Sequence, residues 1–480
     1  MGRLRISRLC AAVALLVGLA GPSVADELAP AASADVPVPE KVSPDAEPGS
    51  TPSAQAEPDS HVHAVGQPTD RSAKEVLKDI WARDTLSGDW RGLRTDLTEH
   101  GVYPQVTFTQ IGQGVATGGA NTNAEYGGLV DWRLNVDVSK AAGLPWKGLF
   151  VSLHAQTRYG KDITADAGAF VLPNTPMLYP LPGDYDGTDV TGLLVEQALF
   201  DGKVDVFFGK LNAIDLWTGF YPNVGYGQDG FLNVNALASA WPFLRYVNLG
   251  MWGGGTWMNN SKGENQAGFI FYGQANNTTS WSFDGQFDDG VGMLGFYRFF
   301  WDIGDMPGSL LFAGLGATKE YNVLEPSVWF AGLFTEVIGP GVGDGGRPWG
   351  FASYLYQEFW HGSGDKGRMA YLYMGGGMAD KEPSFTRWNI FASVEAIGLL
   401  AMRPADRMGV SGWFNEQNDS FKGELALLGV RVGNSWGFEL YYNFAINKWL
   451  HFTADLQLAQ NANKDDNFAV IPGGRLVLDF

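Results

Sequence analysis

The sequence predicts an all-β protein: a transmembrane antiparallel β-barrel of about sixteen strands, preceded by short periplasmic helices. Three observations carry that reading. The first is composition. Among 480 residues there are 64 glycines, aromatics make up 13% and charged residues only 18%, whereas ordinary domains carry ~25% charged residues and about half as much glycine. The second is periodicity, in segments of about ten residues whose polar and apolar positions alternate. The third is connection length, which alternates between tight turns and long loops.

Residues 1–25 read as a secretory signal peptide. Arg3, Arg5 and Arg8 are its basic region, Leu9 to Ala20 its short apolar stretch, and Ser23-Val24-Ala25 its small-residue cleavage pattern. Cys10, the single cysteine, leaves with it. That excludes disulfides, thiolate metal sites and cysteine nucleophiles from the exported chain. Residues 26–70 are Ala, Pro, Ser, Asp and Glu with almost no aromatics, the composition of a disordered linker. His61 and His63 fall in it and read as solvated. In 71–101, Val76, Leu77, Ile80 and Trp81 recur at helical spacing. A second short helix is expected over Trp90 to Glu99, with Leu93 and Leu97 on one face and Gly101 as its stop.

From residue 102 to 480 the period is 2. Asp131, Arg133, Asn135 and Asp137 alternate with Trp132, Leu134, Val136 and Val138. Ser152, His154, Gln156 and Arg158 share one face, and Val151, Leu153, Ala155 and Tyr159 belong largely to the other. Comparable segments recur to the last residue, with those near 243–256 and 327–337 the weakest. A polar face opposite an apolar one fits a soluble sandwich or a barrel whose apolar face meets lipid. Segment length favours the barrel, because ~10 residues suit a tilted crossing while soluble strands average ~5–6. Phe299-Phe300-Trp301 and Phe359-Trp360 sit at strand ends, as interface girdles require. Asp201-Gly202 and Asn447-Lys448 are tight turns, and 160–189 and 211–242 are long loops. With both chain ends on one side the strand number is even, hence sixteen, enough to enclose an aqueous channel.

Leu86-Ser87-Gly88-Asp89-Trp90-Arg91-Gly92-Leu93-Arg94, followed by Leu97 and Gly101, resembles the opening motif of the carbohydrate-selective porin (OprB) family, with Arg91 where the family usually has glycine. Further similarities follow in order. They are Gly128-Leu129-Val130-Asp131, the hairpin Val195 to Lys203 leading into Gly209-Lys210-Leu211, the turn Arg403-Pro404-Ala405-Asp406-Arg407-Met408-Gly409, and the closing pieces Glu439-Leu440-Tyr441-Tyr442 and Asp455-Leu456-Gln457. The resemblance covers about 84–480 and is weakest over 211–345. It implies a monomeric or homotrimeric channel of the Gram-negative outer membrane, surrounded by lipid and lipopolysaccharide. Such channels pass glucose and related small carbohydrates by diffusion through a constriction of inward-folded loops. Phe480, ending an alternating strand with Leu476 and Leu478, looks like the signal that the barrel-assembly machinery reads.

Strand parity points Asp131, Arg133, His154, Gln156, Arg158 and Glu196 into the lumen, since an Arg facing lipid at mid-depth would cost ~2–4 kcal/mol. Opposed acids and bases can replace the water around sugar hydroxyls without net ion selectivity, leaving selection to pore diameter and lining groups. Loop 160–189 contributes Lys161, Asp162, Tyr179, Asp184 and Tyr185. Loop 211–242 contributes Asp215, with Trp217 and Tyr221 as the aromatic platform for a sugar ring.

Other chemistry finds no support. A net charge of −19 argues against nucleic acid, whose phosphates need Lys and Arg. Eleven of the acids lie within 26–80, so the charge does not by itself make a cation channel, and its field is screened within ~8–10 Å. The six histidines make no HExxH motif and no serine sits in a GxSxG elbow. Gly341, Gly343 and Gly346 satisfy GxGxxG, but with glycine this common and no helix following, the stretch reads as a loop. Nothing calls for a cofactor. Three readings stand beside a sugar-selective channel: a general or cation-preferring pore, a barrel enzyme needing an activated nucleophile, and a soluble sandwich lectin.

Overall fold

A computed structural model describes residues 73–179, 186–225, 227–275, 278–279, 281–321, 346–380 and 383–480. The signal peptide, the 26–70 linker, Asp184 and Tyr185, the 327–337 segment, and Gly341 and Gly343 lie outside the described residues. The chain divides into a unit ending at Asp79 and a unit from Ile80 to Phe480. The described part of the first is the start of a helix, Ala73–Ala82.

In the second unit the strands are β1 (Val102–Gly114), β2 (Thr117–Gly119), β3 (Ala124–Asp137), β4 (Leu149–Gly160), β5 (Gly187–Leu199), β6 (Val204–Asn212), β7 (Gly250–Asn259), β8 (Asn265–Gly273) and β9 (Val291–Ile303). They continue with β10 (Met306–Ala317), β11 (Trp349–Gly362), β12 (Asp365–Ala379), β13 (Thr386–Ile397), β14 (Arg407–Gln417), β15 (Ser435–Ala445), β16 (Leu450–Gln460) and β17 (Asn467–Asp479). All belong to one antiparallel sheet in which β1 pairs with both β3 and β17. The sheet therefore closes on itself and leaves no free edge, the only sheet arrangement that satisfies every backbone group in lipid. Three-residue β2 merely extends the ladder onto β17, so sixteen strands build the wall.

The wall is inverted relative to a soluble domain. Trp132, Phe208, Phe269, Phe299, Phe312, Phe351, Phe438 and Leu440 stand exposed on its outer face. Thr109, Arg158, Glu395, Glu439, Asn443, Gln457 and Arg475 are buried within. A lipid-facing outer surface around a polar interior requires this arrangement. Among the described residues no helix is long and apolar enough to cross a membrane.

The weak segment near 243–256 resolves into β7. Its signal is faint because Gly253, Gly254 and Gly255 remove three side chains from the pattern. The neighbouring strand explains them: a Cβ on Gly253 would lie 2.3 Å from the Phe271 carbonyl oxygen, and one on Gly255 would lie 2.2 Å from that of Phe269.

The helix expected over Trp90 to Glu99 is shorter. Arg91 at φ 63° and Gly92 at φ 96° interrupt it, leaving a single turn at Trp90–Gly92 and a helix at Leu93–Glu99. Asp89 holds this break by accepting the Thr95 backbone N–H at 2.9 Å. The opening motif then reaches the end of β17. Leu86 N–H donates to the Asp479 carbonyl at 2.8 Å, and the Arg94 guanidinium donates to the Phe480 carbonyl at 2.6 Å.

One rim of the barrel carries tight turns such as 200–203 and 304–305 together with both ends of the sheet. The other carries the long connections, and the longest described one, between β6 and β7, folds into the lumen. Its aromatics Tyr221, Phe231 and Tyr246 join Tyr354, Tyr371, Tyr373 and Phe391 of the wall in one buried cluster.

Candidate functional site

The inward loop is placed by wall residues whose polar groups satisfy its backbone, as buried peptide groups require. Tyr371 donates its hydroxyl to the Asn223 carbonyl at 2.6 Å, Tyr373 to Leu237 at 2.9 Å, and Ser393 to Ala236 at 2.8 Å. The Glu439 carboxylate accepts the N–H groups of Leu232 at 2.5 Å and Asn233 at 3.0 Å. Arg475 donates to the Gly230 carbonyl at 2.8 Å. Gln457 ties in the other long loop, donating to the Pro173 carbonyl at 2.9 Å while accepting from the Asn233 amide at 2.9 Å.

These contacts confine a polar cavity of about 410 Å³ between the loop and the wall at β1, β3, β4, β14, β16 and β17. Its charged centre comes from register. Asp131 pairs with Gln156, and Arg133 with His154, across β3 and β4, so four polar side chains stand side by side on one face. Helix Ala213–Phe220 completes it. Asn212 caps that helix by accepting the N–H groups of Ile214 at 3.0 Å and Asp215 at 3.2 Å, which fixes Asp215 in the first turn, where a carboxylate is favoured.

Asp215 accepts from Arg133 at 2.8 Å through one oxygen and meets His154 Nδ1 at 2.7 Å through the other. His154 Nε2 lies 2.9 Å from Asp131, which also accepts from Gln156 and Gln228, each at 2.9 Å. Burial works against the Asp215 carboxylate, yet the charges of His154 and Arg133 outweigh it and hold the group below the usual carboxylate range.

Of the residues picked from sequence, Asp131, Arg133, His154, Gln156, Asp215 and Tyr221 line this cavity. Arg158 does not. It is fully buried and acts as a strut, donating to the Met177 carbonyl at 2.6 Å and to Asp162 at 2.9 Å. Glu196 sits near the tight-turn rim, paired with Phe207 and away from the cavity. Trp217 packs against Tyr354 at 4.1 Å and Tyr221 at 5.4 Å, and lines a separate apolar cavity of about 200 Å³. Tyr221 lies between the two, its ring beneath the Arg298 guanidinium at 4.6 Å.

Sequence reasoning did not single out Gln228, Asp229, Arg407, His451 or Asp479 as lining residues, though all five line the cavity. Parity would have found Arg407, His451 and Asp479, which fall on the polar face of their strands. Gln228 and Asp229 carry no such signal, because a loop has no period. Among the described residues no group of acids, histidines or cysteines could hold a metal ion.

Comparison with known proteins agrees with this architecture. The family model for the carbohydrate-selective porin, OprB family, matches residues 121–480. Among solved structures the chain is similar to the high pH structure of Pseudomonas putida OprB, at 18% identity and a TM-score of 0.71, covering 83% of this chain and 99% of that one. The low pH structure of the same protein matches at 16% identity and a TM-score of 0.52, with the same coverage. No curated protein matches the chain. The chain belongs to the carbohydrate-selective porin (OprB) family, and its place is the outer membrane of a Gram-negative bacterium.

Proposed function

We propose that this channel carries small neutral sugars such as glucose by passive diffusion, with no enzymatic step. The family and the barrel are those of channels rather than enzymes. The observation that supports a sugar is the mixed-sign lining. Asp131 and Asp215 stand against Arg133 and His154 at hydrogen-bond distance, so the wall offers donors and acceptors for hydroxyls while its charges cancel locally. Tyr179 and Tyr221 border the same cavity but are buried, so the polar lining rather than an aromatic face supports the reading. In this reading the tight-turn rim faces the periplasm, and the barrel stands among lipid and lipopolysaccharide as a monomer or trimer after delivery by the barrel-assembly machinery.

Liposome swelling tests the proposal. Isosmotic glucose should enter fast and an amino acid of similar size slowly; equal entry of all small solutes would sink sugar selectivity. A cation-preferring pore is the second reading. Asp229 and Asp479 favour it, because with them acids outnumber arginines in the lining. The ratio of sugar flux to ion conductance separates the two.

A further inference from the structure

His154 occupies a position that passage of sugars does not by itself explain. It stands at a β-bulge: His154 pairs with Gly192 while Ala155 pairs with Val190, so β5 carries one extra residue there. Bulges re-aim side chains, and here Gly192 lies directly beside the pair. A Cβ on it would lie 3.4 Å from the His154 Cβ and 3.6 Å from the Asp215 carboxylate.

Both ring nitrogens of His154 face carboxylate oxygens, Nε2 that of Asp131 at 2.9 Å and Nδ1 that of Asp215 at 2.7 Å. The His154 side chain is only 7% exposed, so water does little to screen these contacts. A neutral imidazole has one N–H and one lone pair, and between two carboxylates its lone pair would point at an anion. The imidazolium donates to both. With His154 charged, the four groups Asp131, Asp215, Arg133 and His154 sum to zero; with it neutral, one negative charge is left over.

We propose that protonated His154 neutralises the cluster of Asp131, Asp215 and Arg133 at the constriction, so that loss of its proton adds one negative charge there and shifts the passage from sugars towards cations. This rests on the sugar-channel reading above and adds a specificity-determining residue to it. The other charged groups on the cavity are Asp229, Arg407, His451 and Asp479, and Lys210 on β6 lies behind His154. Arg407 is engaged with Asp229 at 3.5 Å and Glu395 at 3.4 Å. His451 is the other titratable histidine, with Nδ1 at 3.2 Å from the Asn443 side-chain oxygen, and it needs its own control.

The test uses the whole protein in planar bilayers across a KCl gradient, from about pH 5 to about pH 9, a span that brackets histidine titration. The potassium-to-chloride permeability ratio should rise roughly 25-fold with pH, because one unit charge met at ~4 Å through water favours potassium about five-fold and disfavours chloride about five-fold. His154→Gln should hold the high-pH ratio at every pH. His154→Lys, which keeps a positive charge between the carboxylates, should hold the low-pH ratio. His451→Gln should leave a pH-dependent ratio in place. A flat wild-type profile, a wild-type profile retained in His154→Gln, or one abolished by His451→Gln overturns the proposal. Glucose swelling run in parallel reads the sugar function separately. Its absence with a His154-dependent ratio would remove the sugar reading and leave the charge role standing.

Discussion

Glu439 accepts the backbone N–H of Asn233 at 3.0 Å, from a position 206 residues further along the chain. A carboxylate on β15 thereby holds the middle of the loop that narrows the barrel, and its other oxygen takes the neighbouring N–H of Leu232.

Glu439→Ala should therefore loosen the constriction while sparing the wall. Two buried backbone N–H groups lose their acceptor, and each donor left unsatisfied costs about 1–3 kcal/mol. The expected outcome is larger and noisier single-channel conductance, with unchanged strand content by circular dichroism. A conductance identical to wild type would show that the loop is held elsewhere.

Asp215 makes the loop acid-sensitive. Its folded-state carboxyl is held below the usual range, so its stabilising contribution is complete above the unfolded value of about 3.9. That contribution is lost as pH falls through the lower folded value. Hydrogen exchange in Ala213–Phe220 should rise at strongly acid pH in the wild type, whereas Asp215→Asn should already exchange fast at neutral pH and respond little to acid.

Glu424 has the opposite sign. In helix Asp419–Leu427 it is buried, and neither carboxylate oxygen has a hydrogen-bond partner among the described residues. Burial pushes its carboxyl up to about 7, with Arg245 pulling the other way. Ionisation thus opposes folding: the penalty grows as pH rises from about 4.3, the unfolded value, to about 7 and is constant above. Glu424→Gln should melt higher than wild type near pH 8, and the two should converge near pH 4. Parallel melting curves at all pH values would contradict this.

Gly209 tests the wall itself. A Cβ there would lie 1.9 Å from the Leu193 carbonyl oxygen on the paired strand, a clash that no rotamer relieves. Gly209→Ala should fail to reach the compact, heat-modifiable band on unheated gels, while Gly112→Ala on β1, with nothing within 4 Å of its Cβ, should retain it.

The wall was legible in the sequence because lipid enforces a strict period. Asp131 and Arg133 could be assigned to the lumen from their exposed neighbour Trp132, with no knowledge of their partners. The constriction was less legible, since it depends on pairings of a loop with β11 to β17 that no local pattern encodes. One clue was available. Tyr354, Tyr371 and Tyr373 fall on the inward parity of their strands, where water-facing polar groups would be expected, and their bulk signals that something packs on them. Trp217 shows the converse limit: an aromatic in a loop offers no parity, and helix Ala213–Phe220 turns it towards the apolar side while Asp215 faces the polar one.

The grip of Arg94 on the Phe480 carbonyl spans 386 residues. It can form only once the last strand has found the first, after the chain entropy of closure has been spent. For a contact made after the rate-limiting closure, the expected outcome of Arg94→Ala is that the barrel opens faster while closing at nearly the same rate. The opening motif is thereby a determinant of lifetime: it sets how long a finished ring stays shut.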